Sequence, residues 1–105
     1  YEQSTQHFYL FVNFGMCCRG IASTYNIRVG RSSNITGAYL DQSETSMLLG
    51  GGTLVQGIND GGRVVGPGQV GITLLDNGVK VVTEHFYDRK SDPSGVPTLN
   101  LLELT

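Results

Sequence analysis

The sequence predicts an all-β fold, an antiparallel two-sheet sandwich or jelly roll. Three observations support this prediction. Roughly seven to nine short strand-like runs are separated by turn signals about every eight to twelve residues. Glycine accounts for 15 of the 105 residues, against a usual share of about 7%. No stretch of about ten residues keeps a helical period of 3.6 without a glycine interrupting it.

The strongest strand pattern runs over residues 8–18. Its even positions, from Phe8 to Cys18, are all apolar and spaced by two, as on one face of a strand. The odd positions are largely apolar as well, so we expect this strand to be covered on both faces. A turn at Arg19-Gly20 and an alternating run over residues 25–29 predict an antiparallel partner.

Turn signals and short strands fill the rest of the chain. Residues 50–71 hold nine glycines, each of which reaches positive φ without steric cost. Asp76-Asn77-Gly78 is the strongest hairpin signal, because Asn-Gly suits the turn that matches strand twist. An alternating strand follows over residues 79–88, and residues 99–104 predict a final strand.

The terminal strands predict self-association. Burying a second apolar face contributes about 1.5–3 kcal/mol per large side chain, which is large beside a total stability of roughly 5–15 kcal/mol. We therefore expect a homo-oligomer, most economically one of identical copies. The alternative is a monomer whose second face lies under its own long loops. The expected interface residues are Phe8, Leu10, Val12, Phe14, Leu99, Leu101, Leu102 and Leu104.

Length and charge narrow the class of protein. A chain of 105 residues predicts a single domain over residues 1–105. Because it begins at Tyr1 without a leader, we expect the chain to be processed or cut from something longer, and this start fits the C-terminal part of a longer chain. Seven basic residues and a net charge of −2 argue against nucleic-acid binding. No apolar run is long enough for a membrane-spanning helix, so we expect no membrane insertion.

The sequence offers little catalytic chemistry. Cys17 and Cys18 would point to opposite faces of a strand, which predicts buried free thiols, with an intersubunit bridge as the alternative. Two histidines are too few for a metal site within one chain, and we expect no cofactor. Neither a nucleophile elbow nor a phosphate loop occurs. Glu84 and Asp88 share a strand face without a predicted apolar pocket, so we expect no enzymatic activity.

The remaining class of function is ligand binding by surface loops. Aromatic, arginine and carboxamide side chains on loops of a rigid β scaffold are typical of polar or carbohydrate recognition. The candidate ligand-binding residues are Tyr39, Asp41, Gln42, Glu44, Tyr87, Asp88, Arg89 and Asp92.

Three segments, at residues 9–14 with 25–30, 76–82 and 97–104, resemble the trimeric jelly-roll knobs of phage tail fibres and tail needles. These knobs are similar to tumour-necrosis-factor-like domains. The resemblance implies a tumour-necrosis-factor-like homotrimer on the virion surface, assembled in the host cytoplasm. It would bind a cell-surface glycan or protein through loops repeated on three copies.

Two other functions stay open. One is a structural trimerisation, capping or capsid domain that binds no ligand. The other is an extracellular, cytokine-like ligand.

Overall fold

The computed structural model describes residues 1–91 and 96–104, which form two antiparallel sheets without an α-helix. The first sheet has the order β1-β2-β3 and the second the order β4-β5-β6. The strands are β1 (Phe8–Phe14), β2 (Asn26–Ser32), β3 (Thr53–Gln56), β4 (Val64–Leu74), β5 (Lys80–Asp88) and β6 (Pro97–Leu104). Short 3₁₀ helices span Gly20–Ala22, Met47–Leu49 and Asp60–Gly62. The all-β, antiparallel prediction is confirmed.

The chain divides into two compact units. The first comprises Tyr1–Val12 and Arg28–Val55, and the second comprises Asn13–Ile27 and Gln56–Thr105. The single domain over residues 1–105 stays a prediction. None of the helices in the described part of the chain is long and apolar enough to cross a membrane.

The hairpin between β4 and β5 forms where the Asn-Gly signal predicts it. Leu74 pairs with Lys80, and the turn between them is closed by a 2.8 Å hydrogen bond from Leu75 N to the Val79 carbonyl. Gly78 has φ of +85°, which a residue with a side chain rarely adopts. The Asn77 carboxamide oxygen accepts from Val79 N at 3.0 Å. The hairpin prediction is confirmed.

The core of the second unit lies on one face of β5. Val82 and Phe86 are buried there, and Ile27, Val64 and Val65 are buried in the same unit. Alternation with a period of two puts two acids on this face as well, since Glu84 and Asp88 are also buried. Apolarity alone would not have selected this face.

The predicted interface strands are only partly covered. The first strand ends at Phe14 rather than at residue 18, and Phe8, Val12 and Phe14 are half-buried while Leu10 is exposed. On β6, Leu99 and Leu101 are 59% and 62% exposed. Their neighbours Leu102 and Leu104 are half-buried. β6 therefore presents an apolar face to solvent.

Candidate functional site

A disulfide joins the neighbouring residues Cys17 and Cys18 in the turn that follows β1. Their Cα atoms are 3.8 Å apart, and Cys18 has φ of +70°, in the left-handed region. The predicted free thiols are therefore wrong. The physical reason is that the strand ends at Phe14, so the two side chains do not alternate across a strand but meet in a turn.

Hydrogen bonds within the second unit hold this turn. Met16 N donates to the Thr24 hydroxyl at 2.9 Å, and Thr24 N donates back to the Met16 carbonyl at 2.9 Å. Arg19 N donates to the Ser23 hydroxyl at 3.0 Å. Gly15, with φ of +86°, lies so close to Thr24 that a Cβ would overlap its carbonyl. The disulfide is thus presented by a fixed turn, although both cysteines are exposed.

β4 is bulged opposite β5. Its pairing runs from Val65↔Tyr87 to Gly68↔His85 and then Gly71↔Thr83, so each step spans three residues on β4 and two on β5. Gln69 lies in this bulged stretch with φ of +56°, a conformation that residues with a side chain seldom adopt. Bulges and such backbone conformations are over-represented near functional sites.

Gly68 lets an aromatic ring lie on the bulged backbone. A Cβ on Gly68 would overlap the Tyr25 ring and lie 3.1 Å from Asn13 Nδ2. The Asn13 carboxamide is oriented by its oxygen, which accepts from Gln69 N at 3.1 Å. Asn13 Nδ2 is buried and has no hydrogen-bond partner among the described residues. Asn13 and Tyr25 therefore position the bulge that carries Gln69.

These features surround one concave site, the disulfide pocket, with a volume of about 500 Å³. Ligand sites in proteins commonly measure about 300–1,000 Å³. Its lining combines aromatic rings, an imidazole, amides and the disulfide, and no carboxylate is among the lining residues that the structure describes. The lining residues are Asn13, Cys17, Cys18, Tyr25, Gly66, Gly68, Gln69, His85, Phe86, Tyr87 and Pro97. Such a lining suits a neutral ligand that carries both hydroxyl groups and apolar faces.

The two buried acids of β5 have structural partners. The Asp88 carboxylate accepts from Arg63 Nε and Nη2 at 3.0 and 2.7 Å and from the Ser91 hydroxyl at 2.6 Å. The Arg63 guanidinium, followed by Ser91, holds the pKa of Asp88 far below its usual range. Burial raises the pKa of Glu84, whose Oε1 accepts from Asn100 Nδ2 at 3.1 Å. Glu84 Oε2 has no hydrogen-bond partner among the described residues.

The first group of predicted loop residues lies in the first unit. Asp41, Gln42 and Glu44 line a second concave site, the polar cleft, with a volume of about 730 Å³. Tyr39 does not line it, and its hydroxyl donates to the Ile35 carbonyl at 2.8 Å.

The second predicted group is dispersed. Tyr87 lines the disulfide pocket, whereas Asp88 is engaged by Arg63. Arg89 Nε donates to the Gly62 carbonyl at 3.1 Å. Asp92 lies outside the described residues. The ligand-binding roles of these side chains stay predictions.

Sequence reasoning missed the residues that shape the disulfide pocket, namely Asn13, Gln69 and His85. A signal for them was present in Gly66-Pro67-Gly68, which interrupts a strand-like run. Glycine inside a strand pattern often marks a bulge or a close backbone approach. Within residues 1–91 and 96–104, no three His, Cys, Asp or Glu side chains are grouped so that they could hold a metal ion.

Comparison with known proteins identifies relatives of one kind. No protein-family model matches the chain. It is 44% identical over 98 residues to an extracellular endo-α-(1→5)-L-arabinanase of Bacillus subtilis (strain 168), covering 93% of this chain and 28% of that protein. It is 47% identical over 82 residues to an extracellular exo-α-(1→5)-L-arabinofuranosidase of Cellvibrio japonicus, covering 78% of this chain and 23% of that protein.

A solved structure of an arabinanase is also similar to this chain. The GH43 endo-arabinanase of Bacillus licheniformis superposes with a TM-score of 0.82 at 40% identity, covering 100% of this chain and 33% of that one. The chain therefore spans about a third or less of the length of the proteins that it matches.

These findings overturn several predictions. The resemblance to phage knobs is wrong, and with it the attachment function, the virion location and the structural and cytokine-like alternatives. The prediction of no enzymatic activity is wrong, because the relatives are enzymes. The homotrimer with a cell-surface receptor is wrong as well.

The homotrimer failed for a physical reason. In the relatives, the segment that this chain matches is a third or less of the protein. Apolar strand faces in such a segment can be buried against other parts of the same chain and require no second copy. By sequence and by structure, this chain is similar to a segment of arabinan-degrading enzymes.

Proposed function

We propose that this chain forms part of an arabinan-degrading glycoside hydrolase and that its disulfide pocket contacts the sugar units of arabinan. The observation that carries the proposal is the 44% identity with an endo-arabinanase over 98 residues, which spans nearly the whole chain. That relative is named as an endo-acting enzyme, and a second relative is named as an exo-acting enzyme. The proposal therefore specifies the α-1,5 linkage and the arabinose units of the substrate. The pattern of products decides whether cleavage occurs within the polymer or at its ends.

Each sheet is proposed to be part of a β-propeller blade rather than of a jelly roll. Propeller blades are antiparallel sheets, typically of four strands, whereas jelly rolls are built from two Greek keys. The orders β1-β2-β3 and β4-β5-β6 both follow the chain, without a Greek-key crossover among the described strands. This strand order and the similarity to GH43 arabinanases support the propeller proposal.

The pocket lining suits a furanose ring. The rings of Tyr25 and Tyr87 and the disulfide offer apolar surface for the C–H faces of a sugar. The exposed side chains of Gln69 and His85 offer hydrogen bonds to its hydroxyl groups. Because none of the described lining residues is a carboxylate, a neutral sugar suits this part of the pocket better than a cation.

The acid and base of hydrolysis are proposed to lie elsewhere in the enzyme. Glycosidases use two carboxyl groups about 5–9.5 Å apart. Glu84 and Asp88 are four residues apart on β5, which separates their Cα atoms by about 13 Å. Asp88 is held by Arg63, and Glu84 is buried away from solvent. The β5 acids thus stabilise the sheet, and this chain supplies substrate contacts.

The test uses the full-length protein. We expect it to release reducing sugar from linear α-1,5-arabinan and from arabinotriose, and not from xylan or xylotriose. The variant His85→Ala should lower kcat/KM for arabinotriose by about tenfold or more, because one close polar contact to the sugar is lost. Lys90→Ala, which removes an exposed cation outside the pocket, is the matched control.

Two results would count against the proposal. If the protein hydrolyses neither linear α-1,5-arabinan nor arabinotriose, the assigned activity is wrong. If hydrolysis is present but His85→Ala behaves like Lys90→Ala, the activity stands and the role of the disulfide pocket is wrong.

A further inference from the structure

We infer that the polar cleft of the first unit is a second carbohydrate-binding site, which contacts the arabinan polymer and is separate from the disulfide pocket. This inference rests on the proposed function. The two sites share no lining residue. The cleft is formed by the start of β1, the end of β2 and the loop that follows β2, all within the first unit.

The loop wall of the cleft is held by one carboxylate. Asp41 accepts hydrogen bonds from the backbone N–H groups of Ser43, Thr45 and Gly52, each at 2.9 Å. These bonds, that from Gly52 first, lower the pKa of Asp41. Asp41 therefore stays ionised and fixes the loop, and it is not itself a ligand-binding group. The neighbouring side chains Gln42 and Glu44 are exposed on this fixed wall.

The lining of the cleft also includes an oriented imidazole. His7 Nδ1 lies 2.6 Å from the Thr5 carbonyl. A carbonyl only accepts, so Nδ1 carries the hydrogen in the neutral ring and Nε2 is left as an acceptor. A sugar hydroxyl can donate to such a nitrogen.

The phenol ring of Tyr9 lies near this imidazole, and a cation lines the same cleft. The Tyr9 ring is exposed, and its centroid is 6.5 Å from that of His7. The Thr5 hydroxyl, and after it the Arg31 guanidinium, lower the pKa of Tyr9. Arg31 is an exposed residue that lines the same cleft as Tyr9, and its guanidinium carries five donors. Tyr9 offers a flat apolar face next to these donors.

The composition of the cleft favours a neutral polyol. Apolar surface comes from Val29, Ala38 and Leu40, which suits the C–H faces of sugars. Charged groups of both signs line it, since Arg31 lies in the same cleft as Asp41 and Glu44. Such a surface gives no strong preference for a polyanion or a polycation. Hydroxyl-rich arabinan fits this combination of donors, acceptors and apolar patches.

A second contact matters for a polymer and not for a short oligosaccharide. Once one stretch of arabinan is bound, a second stretch meets its site at a high effective concentration, and overall affinity rises without a new tight contact. Arabinotriose has only three sugar units and offers far less length for a second contact than the polymer does. The inference therefore predicts a difference between the two substrates.

The test measures retention of the protein in native gels that contain linear arabinan, together with kcat/KM for arabinotriose. We expect the double variant Tyr9→Ala/Arg31→Ala to lose about tenfold in affinity for the polymer while hydrolysing arabinotriose at the unmodified rate. Tyr9→Phe should retain most of the polymer affinity, because it keeps the ring. Lys90→Ala, with an exposed cation outside both sites, should change neither quantity.

The outcomes separate the two proposals. If the unmodified protein hydrolyses arabinotriose but the double variant is retained by arabinan as before, the second site is refuted and the proposed function stands. An equal fall in polymer affinity and arabinotriose hydrolysis also refutes the second site, since a general loss of structure would produce it. A protein that neither hydrolyses arabinotriose nor binds arabinan refutes both.

Discussion

Replacing Gly68 by alanine should damage the disulfide pocket through the Tyr25 ring. The added Cβ would overlap the Tyr25 ring and lie 3.1 Å from Asn13 Nδ2. The backbone of Gly68 does not have positive φ, so the cost arises from packing and not from the conformation of alanine. Overpacking of this kind costs about 1–3 kcal/mol in the free energy of unfolding. Because Tyr25 lines the pocket, its displacement should also weaken the arabinotriose binding that we propose for this pocket, by about tenfold.

Urea unfolding and calorimetric titration with arabinotriose measure the two effects. Gly71→Ala is the matched control, because it lies on the same strand and its Cβ meets only the Thr83 hydroxyl, at 2.7 Å. That hydroxyl ends a side chain that can rotate, so we expect a cost below about 1 kcal/mol. In the background Tyr25→Ala, the cost of Gly68→Ala should fall by at least half, since the overlapping ring is gone.

Two results would refute this reasoning. One is a Gly68→Ala cost that is no larger than that of Gly71→Ala. The other is an equal Gly68→Ala cost with and without the Tyr25 ring, which would place the damage elsewhere.

Two further predictions concern the second unit. Burial raises the pKa of Glu84, so the folded protein binds the carboxyl proton more tightly than the unfolded chain does. The free energy of unfolding therefore falls as the pH rises above about 4 towards the folded pKa. Glu84→Gln keeps the acceptor for Asn100 and should raise the thermal midpoint at pH 8 but not at pH 4; an equal gain at both pH values would contradict this. Because Cys17 and Cys18 form a disulfide, urea-unfolded, non-reduced protein should show no free thiol by Ellman titration and about two per chain after reduction. Thiols detected before reduction would contradict the disulfide.

The hairpin and the strand pattern could be predicted because their signals are local. Asn77-Gly78 marks its own turn, since only a few residue types adopt the backbone that the turn requires. The alternation along β5 is equally local, yet it does not reveal which face is buried. The face with Glu84 and Asp88 is the buried one, because Asn100 and Arg63 supply partners from distant parts of the chain.

The candidate site was less accessible to sequence reasoning. The apolar alternation of β1 continues through Cys17 and Cys18 and therefore predicts a strand there, whereas the strand ends at Phe14. Asn13 and Gln69 are 56 positions apart in sequence, and a 3.1 Å hydrogen bond connects them in the fold. The apolar faces of the terminal strands were interpreted as contacts between copies, although the same pattern fits burial within a longer chain.

The sequence by itself determined that this protein is made of antiparallel strands joined by glycine-rich turns, because period-two alternation and turn preferences act between neighbouring residues. Tertiary structure alone decided where the bulge of β4 meets the turn after β1, and thus which side chains share a pocket. Contacts between residues far apart depend on how the whole chain packs, and a local signal such as Gly66-Pro67-Gly68 marks a bulge without showing which distant residues it meets.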